Sequence, residues 1–416
     1  MKLLHAADLH VDSPLRGLSR YEGAPAEQLR GATRRALENL VDLALAEEVT
    51  AVLLAGDVYD GDWPDYNTGL FFARQMGRLH DADIPVYLIA GNHDAQNSMT
   101  RTLTLSLPGN VHYFPTDRPD TAVDERRGLA VHGQGFARRD VRDNLAAHYP
   151  EPRSGLFNVG LLHTALSGRE GHEPYAPCSV DQLVDHGYEY WALGHVHQRR
   201  VEYDADVKVV FPGNIQGRHA NEAGAKGCTL VTVDGRHRVA DLRHHDLDTA
   251  ARWHDLRVDV RAARDLPDVF RAVTEQLDKE LAADTEPDRV HAVRVTVEGP
   301  TDAHEQLHRD QESLLHELRS HAAQRADTWV EKLRVKTSPP EEHLDAAHAD
   351  ELVRDLRQTA QRLGTSPREV SEIVESAELL AKLPPRVRDE LRDPSLQRDL
   401  LAEAVELLAA ELGSPR

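Results

Sequence analysis

The sequence has few cysteines, no long apolar run and less positive than negative charge. Its two cysteines, Cys178 and Cys228, are too few for a disulfide framework and are typical of a protein from a reducing cytosol. Apolar runs stay well short of a membrane span, and the N-terminus lacks the basic and apolar segments of a secretory signal. We therefore expect a cytoplasmic protein that does not insert into a membrane.

Negative charge exceeds positive charge by a wide margin. The chain carries 70 Asp and Glu against 49 Lys and Arg, which gives a formal net charge of −21. Such an acidic chain is not a general binder of polyanions, so any contact with nucleic acid must come from a local basic or metal-rich groove, or from a partner. Its 416 residues leave room for two or three domains with a sizeable core.

Several short apolar runs in the first 200 residues end in polar side chains. The clearest run, 85–90, is followed by Gly91-Asn92-His93-Asp94 and predicts a buried strand that ends at a sheet edge, where the ligand sites of open α/β sheets lie. Four other runs end in the same manner. Across the five ends the polar side chains are Asp8, His10, Asp57, Asn92, His93, His163, His195 and His197. This set predicts the ligands of two divalent metal ions.

The spacing inside two of these motifs supports a common site. One residue separates Asp8 from His10, and likewise His195 from His197, so each pair projects to one side of an extended backbone. With 24 histidines in the chain, a single one of them indicates little. Asp57 is our candidate for a ligand shared by two cations, since a carboxylate can bridge them.

Other polar residues near these motifs receive supporting roles. We expect Asp60 to be a turn residue or an acid behind the ligands, and His132 to be structural or to support the ligands. A metal role for Asp60 and a place for His132 in the lining of the site are the alternatives. A glycine-rich segment, 212–219, ends in Arg218 and His219, which can donate hydrogen bonds to phosphate oxygens, as could Lys226. A hairpin with a charged tip is the alternative reading of that segment.

The order of these motifs resembles that of the calcineurin-like metallophosphoesterases over about residues 1–240. The matching motifs are Asp8-x-His10, Gly56-Asp57, Gly91-Asn92-His93-Asp94, His163 and Gly194-His195-x-His197. Within that superfamily, the segments 8–15 and 212–219 resemble those of bacterial DNA-repair exonucleases of the YhaO and SbcD type, relatives of the nuclease subunit of the eukaryotic MRN complex.

This resemblance implies an α/β (α+β) fold, with two stacked mixed sheets flanked by helices and two metal ions between loops at the sheet edges. It assigns Asp8, His10, Asp57 and His197 to the first ion, and Asp57, Asn92, His163 and His195 to the second. His93 would protonate or stabilise the leaving oxygen, oriented by Asp94. Two such cations can clamp the attacking and leaving oxygens of a displacement at phosphorus. Ligands of this kind favour Mn²⁺ over Mg²⁺, with iron or zinc as alternatives.

We predict three regions: a nuclease domain over 1–245, a capping domain over 250–337 and a helical region over 341–416. The middle region shows strand patterns at 253–260, 289–298 and 329–336 and helix patterns at 265–283 and 302–323. By position, this β-α-β-α-β unit resembles the domain that the family places over the active site to select DNA. A dimerisation or stabilising domain without substrate contact is the alternative.

The last region carries 17 acidic and 10 basic residues over 338–416, which makes DNA binding by this region unfavourable. Its apolar stripes need a partner surface, on this chain or another. The stripe residues are Val370, Ile373, Val374, Ala377, Leu380 and Leu383, then Leu400, Leu401, Ala404, Val405, Leu407 and Leu408. The resemblance implies docking on an SMC-like coiled-coil ATPase (SbcC/YhaN-like), and a homodimer formed through helices near the N-terminus.

The resulting hypothesis is a metal-dependent DNA nuclease, an exonuclease with or without endonuclease activity, that hydrolyses phosphodiester bonds in double-strand break repair. Two alternatives remain at this point. One is a metallophosphoesterase of small phosphodiesters or nucleotides, which the acidic net charge favours. The other is a regulatory subunit with weak activity, against which the complete set of motif residues argues.

Overall fold

The computed structural model describes residues 1–13, 25–60, 66–96, 107–167, 175–282, 284, 286, 288–324, 327–340, 351–364, 366, 370, 391 and 393–412. Its contacts divide the chain into two units. The first comprises Met1–His254, Glu286–Ala292 and Asp327–Trp329. The second comprises Asp255–Thr285, Val293–Ala326 and Val330–Arg416, so the predicted capping and C-terminal regions fall largely in one unit.

The first unit is built on two six-stranded mixed sheets. Its strands in chain order are β1 Lys2–Ala6, β2 Ala51–Leu54, β3 Val86–Leu88, β4 Val111–Tyr113, β5 Asp120–Asp124, β6 Leu129–Gly133, β7 Phe157–His163, β8 Tyr190–Gly194, β9 Arg200–Asp204, β10 Lys208–Phe211, β11 Gly227–Val233 and β12 Val239–Asp246. One sheet has the order β12-β11-β1-β2-β3-β4 and the other β5-β6-β7-β8-β10-β9. Each sheet contains four neighbouring strands that run parallel. These are β1, β2, β3 and β4 in one sheet and β6, β7, β8 and β10 in the other.

The two sheets pack face to face around a shared apolar core. Leu3 and Leu53 of one sheet and Val159 and Leu161 of the other belong to this core and are fully buried. Because both faces of the central strands are covered, these strands are continuous apolar runs rather than alternating ones. The predicted two-sheet fold flanked by helices is confirmed.

Helices cover the outer face of the first sheet. The first of them, α1 Ala26–Ala46, buries Ala36, Leu37 and Leu40 at helical spacing. The next is α2 Tyr66–Asp81. On the outer face of the second sheet, Trp191 lies in a third apolar cluster, into which the short helix α3 Val180–Asp185 contributes Leu183.

The predicted alternation of strands and helices is present and lies mostly in the second unit, although the first residues of its three strands, 251–254, 290–292 and 328–329, fall in the first unit. In chain order the elements are β13 Ala251–Asp259, α4 Leu266–Ala282, β14 Val290–Pro300, α5 His304–Arg309, α6 Gln311–Ala322 and β15 Thr328–Ser338, and the three strands form one sheet. The single helix predicted over 302–323 is wrong. The chain leaves helical geometry at Asp310, with φ −109° and ψ 22°, a residue type that competes poorly for helix interiors.

Two further helices, α7 Glu351–Gly364 and α8 Pro394–Leu412, belong to the second unit. Glu406 of α8 accepts hydrogen bonds from His304 of α5 at 2.8 Å and from Arg357 of α7 at 3.1 Å. The predicted stripe of α8 is therefore divided, with Val405 buried while Leu400 and Leu407 are exposed. The stripe predicted over 370–383 lies outside the described residues apart from Val370. Among the described helices, none has the length and apolar character needed to cross a membrane.

His5 joins the two sheets of the first unit through hydrogen bonds in their buried interface. Its Nε2 donates to the carbonyl oxygen of Leu193 at 3.1 Å, so its Nδ1 accepts from the Tyr190 hydroxyl at 2.8 Å. Burial lowers the pKa of this imidazole from 6.5 to about 3. His132 has the structural role predicted for it: it stacks on Tyr188, and burial lowers its pKa to about 4.

We expect the free energy of unfolding to decrease in acid, in part through His5. The unfolded chain binds a proton at His5 below a pH near 6.5, whereas the folded protein binds it only near pH 3. The stability contributed by this group is therefore complete above the higher value and is lost as the pH falls through that window. One such group gives a slope of about 1.4 kcal/mol per pH unit.

The check is denaturant unfolding of His5→Gln in EDTA across the upper part of this window. Glutamine can retain one donor and one acceptor at this position but does not titrate, so the slope should be smaller than in the wild type by about the amount given above. His80→Gln, which removes an exposed histidine, is the control and should keep the wild-type slope. A wild-type slope in His5→Gln would contradict this assignment.

Candidate metal centre

The polar residues predicted at five strand ends meet at one edge of the first unit. Asp8 and His10 follow β1, Asp57 follows β2, and Asn92 and His93 follow β3 in the first sheet. From the second sheet, His163 is the last residue of β7, while His195 and His197 follow β8. Because these strands are parallel neighbours within their sheets, their carboxyl ends lie together.

The backbone at this edge adopts conformations that are costly for residues other than glycine. Asp8, His10, Asp57 and His195 have φ values of 52°, 44°, 52° and 102°. Such left-handed positions cost about 1–3 kcal/mol each and persist where the surroundings determine them strongly. Here the Asp8 N–H donates to Gly56 O at 3.0 Å and the His10 N–H to Asp57 O at 3.1 Å, which ties two loops together. The stored strain is typical of a functional site.

One group of ligand atoms comes from Asp8, His10 and His197. The Nε2 atoms of His10 and His197 are 3.2 Å apart, and His197 Nε2 lies 3.8 Å from Asp8 Oδ1. Burial lowers the pKa of His10 well below its usual value and also lowers that of His197, so both rings are neutral near pH 7. Two neutral imidazoles beside a carboxylate form a donor set that suits a divalent cation.

A second group comes from Asp8, Asp57 and His163. The Nδ1 of His163 donates to the carbonyl oxygen of Ala55 at 2.9 Å, which leaves a lone pair on Nε2. That Nε2 faces Asn92 Oδ1 at 3.0 Å and Asp57 Oδ2 at 3.6 Å. Three acceptor atoms that face one another repel unless a positive charge lies between them, so these residues fit a bound cation.

The charges of the two carboxylates support the same conclusion. Asp8 and Asp57 are each 1% exposed. Burial raises the pKa of both, and the charge of Asp57 raises that of Asp8 further. Two carboxylates buried this deeply favour partial protonation on their own, and a cation restores their charged form.

His195 approaches the centre through both its backbone and its ring. Its N–H donates to the Asp8 carboxylate at 3.0 Å, and its ring lies 5.3 Å from that of His163 and 5.4 Å from that of Tyr175. Phe136 contacts the edge of His163 at 5.4 Å between ring centroids. Sequence reasoning missed Phe136 and Tyr175, which form an apolar wall beside these two imidazoles.

His93 lies beside the clusters and is more accessible than they are, with 30% of its side chain exposed. Its N–H donates to Asp57 Oδ1 at 2.8 Å, and its Nδ1 lies 3.0 Å from Asp60 Oδ1. Burial alone would lower the pKa of His93, but the hydrogen bond to Asp60 and the charges of Asp57 and Asp60 outweigh it and raise the pKa above 6.5.

The expectation that Asp94 orients His93 is corrected by these contacts. The Asp94 carboxylate accepts hydrogen bonds from the backbone N–H groups of Val58, Tyr59 and Gly91 at 3.2, 3.0 and 2.9 Å. It therefore fixes two loops, and burial raises its pKa to about 6. The acid that holds the His93 ring is Asp60, which follows a different strand.

The glycine-rich segment reaches the centre but is engaged with other side chains. Arg218 is 13% exposed and donates to Glu222 and Asp60, while His219 is 54% exposed. Lys226 donates to the carbonyl oxygen of His197 at 3.0 Å. The phosphate-binding role of Arg218 and His219 stays a prediction.

Comparisons with known proteins agree with this geometry. The family model described as calcineurin-like phosphoesterase matches residues 1–199, and that of the middle domain of metallophosphoesterase YhaO matches 253–338. The chain is 36% identical over 283 residues to the uncharacterized metallophosphoesterase YhaO of Bacillus subtilis (strain 168), which covers 67% of this chain and 68% of that protein. The chain belongs to the YhaO family of calcineurin-like metallophosphoesterases.

This family assignment is accompanied by more distant similarities. The DNA double-strand break repair protein Mre11 of Sulfolobus acidocaldarius is 26% identical over 250 residues, which covers 56% of this chain and 61% of that protein, less than two thirds of its length. A dimetal phosphatase from Danio rerio covers 59% of this chain and 96% of its own, with 10% identity and a TM-score of 0.35. As a member of the YhaO family, this chain is a metallophosphoesterase that is distantly related to the Mre11 proteins.

The environment of Asp60 shows how this acid holds the His93 ring in one orientation. It also accepts from Ser13 Oγ at 2.7 Å and from Arg218 Nη1 at 3.3 Å. Burial works to raise the pKa of Asp60, but the hydrogen bonds from His93 and Ser13 and the charge of Arg218 lower it below its usual value. Asp60 is therefore a carboxylate held in place on three sides.

We expect Asp60→Asn to reduce turnover about 10–100-fold, as is usual when the partner of a functional imidazole is lost. The loss should be larger for phenyl than for 4-nitrophenyl phosphodiesters, because a poor leaving group depends more on a positioned acid. Asp83→Asn, which changes an exposed carboxylate on the surface, is the matched control. Equal losses for the two esters would contradict the positioning role.

Proposed function

We propose that this metallophosphoesterase is a metal-dependent DNA nuclease, chiefly an exonuclease, that hydrolyses phosphodiester bonds near DNA ends during double-strand break repair. The observation that carries this proposal is the pair of deeply buried carboxylates, Asp8 and Asp57, with imidazoles arranged on either side. The likeness to the repair protein Mre11 supports DNA as the substrate class.

The ligand groups fit two divalent cations, and we propose Mn²⁺ because imidazole and carboxylate ligands together suit it. Asp8, His10, Asp57 and His197 would hold the first ion, and Asp57, Asn92, His163 and His195 the second. Bound there, the cations would polarise the phosphodiester and lower the pKa of the attacking water.

The protein's own groups account for the remaining steps. Asp57 fixes the loop of His93 by accepting its N–H, and Asp60 holds the ring by its Nδ1. The Nε2 of His93 is thereby left to deliver a proton to the leaving oxygen of the DNA strand. Phe136 and Tyr175 exclude water from the side of His163 and His195.

The test is cleavage of end-labelled duplex and single-stranded DNA by the purified chain with Mn²⁺, beside Asp57→Ala and His93→Ala. A bis-aryl phosphodiester serves as the second substrate. The proposal predicts Mn²⁺-dependent DNA cleavage that both variants lose. Hydrolysis of the aryl ester without DNA cleavage would favour a phosphoesterase of small diesters or nucleotides instead.

We also propose two protein partners: a second copy of the chain and an SMC-like coiled-coil ATPase (SbcC/YhaN-like) that docks on the region 341–416. The exposed Leu400 and Leu407 of α8 support an apolar docking face. Deleting 341–416 should abolish co-purification with such an ATPase and leave the oligomeric state of the remaining chain unchanged. Retained co-purification would contradict the docking proposal.

A further inference from the structure

Glu222 and Arg218 lie in a part of the chain that neither family model covers, between residues 199 and 253. Glu222 ends a short 3₁₀ helix, Ala220–Glu222, and is only 6% exposed. Burying a carboxylate is costly unless it is fully hydrogen-bonded, so its partners indicate its purpose.

The Glu222 carboxylate binds the far side of a candidate metal ligand. Its Oε1 lies 2.6 Å from His197 Nδ1, which donates to it. The tautomer is thereby fixed, and the lone pair of His197 Nε2 faces the Asp8 carboxylate and His10. A carboxylate behind an imidazole ligand orients the ring and increases its basicity.

The other oxygen of Glu222 is also occupied. Oε2 accepts from the Arg218 N–H at 2.8 Å and from Asn214 Nδ2 at 3.0 Å. Donors from His197, Arg218 and Asn214 thus satisfy both oxygens of this buried carboxylate.

Arg218 extends this arrangement towards His93. Its Nη2 donates to Glu222 Oε1 at 3.0 Å and its Nη1 donates to Asp60 Oδ2 at 3.3 Å. Asp60 in turn lies against His93 Nδ1 at 3.0 Å. The guanidinium thus links the carboxylate behind His197 to the carboxylate behind His93.

We propose that Glu222 and Arg218 are positioning residues of the metal centre. Glu222 fixes His197 as a ligand of one cation. Arg218 connects Glu222 to Asp60, so that the position of His93 relative to that cation is fixed. The part that concerns His93 rests on the proposed function, whereas the part that concerns His197 does not. All three guanidinium nitrogens of Arg218 face carboxylate oxygens, which supports the positioning role of this arginine.

The experiment is calorimetric titration of the metal-free full chain with Mn²⁺ alone. In Glu222→Gln, one of the two ions should bind about 10–100-fold more weakly, while the other keeps an affinity within about threefold of the wild type. Glu222→Asp, which retains the carboxylate, should recover part of the loss and also covers the case in which the glutamine variant does not fold. Glu47→Gln, at a surface ion pair with Lys2, is the matched control. Wild-type affinity for both ions in Glu222→Gln and Glu222→Asp would overturn the proposal.

Arg218→Gln tests the part of the proposal that concerns His93 separately from the part that concerns His197. It should keep both Mn²⁺ affinities within about threefold and reproduce the leaving-group pattern of Asp60→Asn, with a larger loss for phenyl than for 4-nitrophenyl phosphodiesters. Equal losses for the two esters would overturn the link to His93. Because the titrations contain no substrate, a chain that binds two ions as described but leaves DNA intact would contradict the proposed nuclease function alone.

Discussion

Asp57→Asn is expected to reduce phosphodiester turnover by at least about a thousandfold. Asp57 is the carboxylate that would be shared by both cations, and it also accepts the N–H of His93 at 2.8 Å. Losing the shared ligand removes Lewis-acid stabilisation worth several kcal/mol, and each 1.36 kcal/mol corresponds to a factor of ten in rate. Asparagine keeps an oxygen acceptor for the His93 N–H, so the loss reports on charge and metal binding.

The stability of this variant distinguishes a functional from a structural carboxylate. In EDTA, Asp57→Asn should be as stable as the wild type or more stable, because the charge of Asp57 opposes ionisation of the neighbouring buried Asp8. Adding Mn²⁺ should raise the melting temperature of the wild type but have little effect on the variant. Asp83→Asn, at an exposed carboxylate, should behave as the wild type in both respects. A strong loss of stability in EDTA would indicate that Asp57 is chiefly structural.

Gly194→Ala is expected to damage both folding and activity. A Cβ atom at Gly194 would lie 2.0 Å from the carbonyl oxygen of Ala55 and 2.9 Å from His163 Nδ1. Gly194 ends a central strand of one sheet and Ala55 follows a strand of the other, so the two sheets approach here with no room for a side chain. Relief requires a backbone shift, for which overpacking costs of about 1–3 kcal/mol are typical.

The loss of activity follows from the same contact. Ala55 O accepts from His163 Nδ1 at 2.9 Å, so moving this carbonyl group displaces a candidate ligand. A displacement of about 1 Å can reduce turnover about a hundredfold. Urea unfolding and turnover of an aryl phosphodiester measure the two effects. Gly109→Ala, where a Cβ meets nothing within 4 Å, is the matched control, and equal behaviour of the two variants would contradict the argument.

The positions of the candidate ligands could be predicted from the sequence because each follows a continuous apolar run. A central parallel strand is buried on both faces, so its end is marked by the first polar residues, such as Asp8 after β1 or His195 after β8. The pairing of the strands then brings residues distant in sequence to one edge. The arrangement of the strands in two stacked sheets was predicted from the resemblance to the metallophosphoesterases, whereas the individual strands and helices follow from their apolar periodicities.

Asp60 was expected to be a turn residue or an acid behind the ligands, but its partners could not be predicted, and Glu222 was missed, because these contacts join loops far apart in the sequence. Glu222 contacts His197 across 25 positions, and Asp60 contacts Arg218 across 158. The resemblance assigned Asp94 to His93, yet the Asp94 carboxylate accepts hydrogen bonds from backbone N–H groups. Local spacing indicates the side of the chain to which a side chain projects. It does not determine which of two nearby carboxylates accepts the hydrogen bond from the imidazole.

Asp57 would be a ligand shared by two cations at the edge where the strand ends meet. Anomalous diffraction from crystals of the metal-free protein soaked in Mn²⁺ would locate these ions. We expect two peaks about 3.5–4 Å apart, both beside the Asp57 carboxylate. A single peak, held instead by the third potential ligand group of His10, Asp60 and His93, would contradict this expectation.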